Sequence, residues 1–174
     1  RSILFAALTA EEKGLQGSDY LAHFPPPNTE IVANLNTDMF LMLFPFTDVI
    51  IFGEDNSTLG TSAKNASEDA GLIVSPDPAP DEVRFVRSDQ YSFVKRGVPS
   101  VCITSGFKTT DPKIDGEKTT RSWLRTTYHM PQDESSQKME WGSGIKLIRA
   151  NFLTGLRVAN ADQRPTWNSG DFFG

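Results

Sequence analysis

Residues 1–14 read RSILFAALTAEEKG. The run Arg1–Leu8 is apolar on both alternations, the pattern of a strand buried on both faces of a parallel or mixed sheet. It gives way to a polar, glycine-marked turn that carries two adjacent carboxylates, Glu11 and Glu12. In open α/β sheets, ligands bind at the carboxyl ends of strands. A chain seldom opens on its most buried strand, because termini usually lie at the surface. The reading therefore expects residues 1–174 to be the C-terminal portion of a larger domain, truncated on its N-terminal side.

Outward from this stretch, apolar runs and helical patterns alternate. Ser18–Phe24 reads as a helix stopped by Pro25-Pro26-Pro27, since proline cannot continue a helix. Ile31–Asn36, Asp48–Phe52 and Pro99–Thr104 read as buried strands. Ser57–Gly71 reads as a helix with Asn56 or Ser57 as N-cap and Gly71 as its stop. Residues 75–81, SPDPAPD, form a proline-rich loop, and Ser88 is placed to cap a short helix over Asp89–Arg96. Gly106–Gln132 shows no apolar period and reads as a long loop, a feature often functional. A last helix is expected over Ser136–Ala161, with Trp141, Ile145, Ile148, Phe152, Leu156 and Ala159 as one apolar stripe. The alternation predicts an α/β fold, a three-layer α/β/α sandwich with a mixed, largely parallel sheet.

Composition narrows the function. With 17 Lys+Arg against 22 Asp+Glu, the formal charge is −5, which argues against a nucleic-acid backbone as partner. A single cysteine, Cys102, excludes an internal disulfide framework and a cysteine-cluster metal site. Two histidines, His23 and His129, cannot furnish a three-imidazole centre. No apolar run reaches the roughly 20 residues of a membrane span.

Two acidic strand ends stand out. Glu11-Glu12 follows Arg1–Leu8, and Asp38 follows Ile31–Asn36. Adjacent carboxylates can divide labour, one holding a cation while the other takes a proton from water, as metal-assisted hydrolysis requires. A solvated acidic turn and an Asp turn account for the same residues equally simply. His129, in TTYHMPQDE, is an imidazole of the type zinc prefers, or a surface histidine. Asp89, in RSDQYSF, is a site carboxylate or a charge complementing a helix N-terminus. His23 sits on a helix beside a proline stop and reads as structural. Phe107, Trp123 and Tyr128 could wall a pocket for an apolar side chain, and the mixed charges of Lys108–Arg125 suit a solvated or a substrate-facing loop.

Taken in order, ALTAEEKGLQGS, NLNTDM, RSDQYSFVKRGVPSV and TTYHMPQDE resemble the M28 family of zinc aminopeptidases, from Ser2 to about Ala161. The resemblance implies hydrolysis of peptide bonds, with removal of N-terminal amino acids from peptide substrates. It implies Glu11 as general base, and Glu12, Asp38 and His129 as metal ligands. Asp89 and Tyr128 become substrate contacts. The family's S-D-H stands here as Ser88-Asp89-Gln90, a departure that touches no ligand position. The family's two-zinc site has five protein ligands, of which a histidine and a bridging aspartate come from an upstream H-x-D segment. No H-x-D occurs in these 174 residues, so three ligand positions of five are expected here and the chain alone is expected to hydrolyse little. Two alternatives remain: a glutaminyl-cyclase-like, single-zinc acyl transferase, and a non-catalytic binding module on the same fold. Resemblance to bacterial members also implies a secreted or periplasmic location.

Overall fold

The computed structural model describes residues 1–174. Four strands form one mixed sheet: β1 (Asn34–Asn36), β2 (Asp48–Phe52), β3 (Ile73–Val74) and β4 (Ser100–Ser105), in the order β1-β4-β2-β3. β1 runs parallel to β4 with Asn36 beside Cys102, and β3 runs parallel to β2. β2 and β4 pair antiparallel, with Ile51 opposite Ile103. The helices are α1 (Gln16–His23), α2 (Thr58–Asp69), α3 (Gln90–Val94), α4 (Gly116–Thr126) and α5 (Trp141–Asn160). Three short 3₁₀ turns cover Glu11–Lys13, Pro80–Glu82 and Arg84–Val86.

Strand alternation builds the layers. Val49 and Ile51 of β2 and Val101 and Ile103 of β4 point into one core with Leu59 and Ala63 of α2 and Leu147, Ala150 and Val158 of α5. Ile50 and Cys102, on the opposite alternation, are also buried, outside that core, as are Phe93 and Val94 of α3. The result is an α/β fold with a mixed sheet, α2 and α5 packed together on one side, and α3 with α1 on the other.

The structure corrects four expectations. Arg1–Leu8 forms no strand: it is irregular and exposed, with Phe5 87% accessible. The Arg1 guanidinium donates to the carbonyls of Val158 (3.0 Å) and Ala161 (2.6 Å), satisfying groups at the C-terminal end of α5, so this segment is tied to a helix end and not to a sheet ladder. Gly106–Gln132 is not one long loop, because α4 lies within it. Asp115 caps α4 by accepting from the Lys118 N–H at 2.9 Å, and Arg121 pairs with Glu117 one turn earlier, also at 2.9 Å. A cap and a charge pair support this helix, whose buried positions are Gly116 and Thr120.

α5 begins at Trp141, five residues later than expected, where Glu140 accepts from the N–H groups of Gly142 and Ser143. Its buried face is also different. Trp141, Ile145, Ile148, Phe152 and Leu156 are exposed, while Gly144, Leu147, Ala150, Thr154 and Val158 face inward. Small residues turn inward because α2 presents an equally small face, Ala63 and Ala66, which lets the two helices approach closely. A Cβ at Gly144 would overlap the Met42 sulfur. Finally, Ser88 does not cap α3 with its side chain: the N-cap position is Asp89, and the Ser88 hydroxyl is engaged elsewhere.

Candidate active site

Three backbone devices present the acidic and imidazole groups. The first is the tight turn at Glu11–Lys13. Ala10 precedes it in the left-handed region (φ 57°), and Gly14 (φ 93°) and Leu15 (φ 59°) follow in the same region. The amides of Gly14 and Leu15 both donate to the Glu11 carbonyl, at 3.0 and 2.9 Å, so the turn is closed on itself. The second is the end of β1. Asn36 is its last residue, and Asp38 lies two residues beyond, at the carboxyl end of the parallel β1–β4 pair, with Met39 left-handed (φ 50°) after it. The third is the end of α4, where the Thr127 and Tyr128 amides donate to the Trp123 carbonyl and His129 turns left-handed (φ 58°). Non-glycine residues in this region are uncommon and cluster at functional sites. Here Ala10, Met39 and His129 each adjoin or are candidate residues.

These devices bring together residues far apart in sequence. His129 Nε2 lies 2.6 Å from Glu12 Oε1. The Tyr128 ring stacks on His129, centroids 3.7 Å apart, and tilts against Trp123 at 6.1 Å. Burial pushes the Glu11 carboxyl above the usual carboxylate range, and the charges of Asp38, Glu12 and Asp89 push the same way, against His129. Burial, then Glu12, Asp38 and Glu11, likewise raise the Tyr128 phenol, so it stays a neutral donor. Glu11 therefore feels the charges of Asp38, Glu12, Asp89 and His129, and Tyr128 those of Glu12, Asp38 and Glu11. One oxygen of Asp89, Oδ1, is buried with no hydrogen-bond partner. Cys102, next to Asn36 on β4, is 4% exposed, and burial pushes its thiol up to about 12, so it is inert at neutral pH.

The sequence reading did not foresee how Asp38 is held. Its Oδ2 accepts from the Ser88 hydroxyl at 2.6 Å. That hydroxyl accepts from Asn36 Nδ2 at 3.1 Å, and the same Nδ2 donates to Gln90 Oε1 at 2.7 Å. The one available signal was Asn36 standing two residues before Asp38 on a strand. His23, read as structural, bonds the Asp19 carbonyl within its own helix at 2.8 Å. A cavity of about 530 Å³ lies away from these residues, between Phe52, Lys64, Ser75, Arg84 and Phe173.

A cation suits this site chemically. The charges of Asp38, Glu12 and Asp89 add to the burial that raises Glu11, and Asp89 carries an orphaned buried oxygen. Glu12, Asp38 and His129 are oxygen and nitrogen donors of the kinds zinc takes. No three His, Cys, Asp or Glu side chains lie close enough together to hold a metal ion, so the fold does not gather Asp38 with Glu12 and His129 into one ligand cluster.

The sequence profile of Peptidase family M28 matches residues 1–153. The chain belongs to Peptidase family M28. Among solved structures, this M28 chain is similar to an aminopeptidase from Aneurinibacillus sp. strain AM-1, at 18% identity and a TM-score of 0.54. The match covers 92% of the present chain and 33% of that one, so the chain spans about a third of that enzyme's length. At this identity the likeness speaks to the fold. A search of curated proteins gives no significant match. No helix is long and apolar enough to cross a membrane.

Proposed function

We propose that this M28 chain contributes the general base and part of the metal-binding set of a two-zinc exopeptidase that removes N-terminal amino acids from peptides. The observation that carries the reading is the meeting of Glu12 and His129 at 2.6 Å beside the charge-coupled pair Glu11 and Asp38. Glu12, His129 and Asp38 would hold zinc, with the remaining ligands supplied by an H-x-D segment outside these residues. Zinc, when bound, supplies Lewis-acid polarisation of the scissile carbonyl and a more acidic water.

The geometry supports a part for this chain's own residues. Glu11 is held on a closed turn with its carboxyl above the usual range, closer to neutral pH than an ordinary glutamate. A base so tuned takes a proton from water and hands it to the leaving amine without becoming either too weak or too strong. Tyr128, kept neutral, is a donor for a developing oxyanion or a substrate carbonyl. Asp89, whose charge reaches Glu11, is an acidic acceptor suited to a substrate N–H or α-amino group.

The test is release of chromophore from aminoacyl anilides by the intact protein and by its Glu11→Gln variant. Loss of turnover with zinc content retained supports the base role. Undiminished turnover in the variant would sink it.

A further inference from the structure

We propose that Gln90, acting through Asn36 and Ser88, is a positioning residue that fixes the carboxylate of Asp38. The proposal rests on the reading of Asp38 as a metal ligand. Gln90 is 1% exposed, and its amide is oriented from behind: Nε2 donates to the Phe85 carbonyl at 2.8 Å. That leaves Oε1 facing Asn36 Nδ2 at 2.7 Å. Asn36 is held by both Gln90 and the ladder of β1, where it sits beside Cys102. Its amide also donates to Ser88 Oγ at 3.1 Å. A hydroxyl has one proton, and with a donor already aimed at its lone pair, Ser88 must direct that proton to Asp38 Oδ2, 2.6 Å away.

The chain thus runs from a backbone carbonyl through two amides and one hydroxyl to one oxygen of Asp38. It leaves the other carboxylate oxygen outside this relay. Partners behind a metal ligand orient it, and their loss commonly weakens metal binding by about 10–100-fold. A buried amide with both ends satisfied is also costly to replace by a group that satisfies one. Gln90, the residue that departs from the S-D-H pattern, is therefore given a defined task in this chain.

The experiment uses zinc alone, titrated by calorimetry into the intact protein. Ser88→Ala and Gln90→Met should each weaken binding by about 10–100-fold, and Ser88→Thr, which keeps the hydroxyl, should restore most of it. The double variant should bind no more weakly than the worse single one, since both cut the same chain. In metal-free protein, Gln90→Met should also shift the Asn36 side-chain amide resonances. Additive losses in the double variant, or unchanged zinc affinity in a folded Gln90→Met protein, overturn the proposal. If Gln90→Met does not fold, Asn36→Leu carries the same expectation and the same refutation. Asp38→Ala separates the two levels: if it leaves zinc affinity unchanged, the ligand reading fails and the positioning role with it; if it weakens binding while the others do not, the positioning role alone fails.

Discussion

Nε2 of His129 stands 2.6 Å from Oε1 of Glu12, joining the end of α4 to the turn that opens the chain's first helical region. Both side chains are more than half exposed, so the contact by itself adds little to folding stability. Its interest is chemical, because it sets an imidazole and a carboxylate at one point. His129→Ala should therefore weaken zinc binding by the intact protein by more than about 100-fold, beyond the loss typical of outer-sphere residues. Its melting temperature without metal should barely change. Calorimetry and thermal unfolding on the same variant check both halves.

Glu11→Gln should lower turnover by about 10²–10⁴-fold, the usual worth of a positioned general base. Zinc content should be unchanged. The raised carboxyl has a further consequence in metal-free protein. A group whose folded pKa lies above its unfolded value contributes stability below the unfolded value and loses it as pH rises through the folded one. Wild type should thus fall relative to Glu11→Gln as pH rises past the ordinary glutamate range, read by urea unfolding across pH 4–7.

Glu140 titrates in the opposite sense. The Ser143 N–H holds its carboxyl below the usual range, with Gly142 N–H and Lys146 acting the same way against burial. A lowered carboxylate stabilises above its unfolded pKa and stops doing so as pH falls through the folded one. Glu140→Ala should destabilise by about 1 kcal/mol at pH 7, the usual worth of a helix cap. The difference should shrink towards zero in strong acid. Chemical denaturation at a series of pH values reads it directly.

Gly60, in the first turn of α2, has no room for a side chain: a Cβ there would overlap the Glu54 carbonyl oxygen and press on its backbone. That obstacle is main chain and cannot swing aside. Gly60→Ala should destabilise by about 1–3 kcal/mol through forced backbone shift, although alanine is the better helix former. A lowered denaturant midpoint with unchanged slope is the expected result.

Much of this was legible in the chain. Asp48–Phe52 forms β2 over the residues where the apolar run stands, because strands on both sides complete its ladder. Arg1–Leu8 carries the same kind of run, yet no strand offers it a ladder, and Arg1 binds the end of α5. α4 carries its signals in an N-cap and an i,i+4 ion pair, which an apolar period does not report. On α5, large apolar side chains such as Phe152, 58% exposed, drew the stripe, whereas close helix packing put Ala150 and Thr154 inside.

The site divides similarly. The order of four short motifs singled out Glu11, Glu12, Asp38 and His129, and the fold sets these residues in one electrostatic neighbourhood. What Ser88 does was not legible. Serine before a short helix is a common cap, and its true partner, Asp38, is 50 residues away and reached only through the fold.

Cys102 gives the molecule a practical asset. The chain's one thiol sits in β4 with its proton held to about pH 12 and almost no surface showing. Maleimides and spin labels react with thiolate at an accessible sulfur, so the native protein is a silent background. A single cysteine introduced on an exposed turn would take a probe cleanly, and distances between the Glu12 turn and the end of α4 could be followed without first removing a native residue.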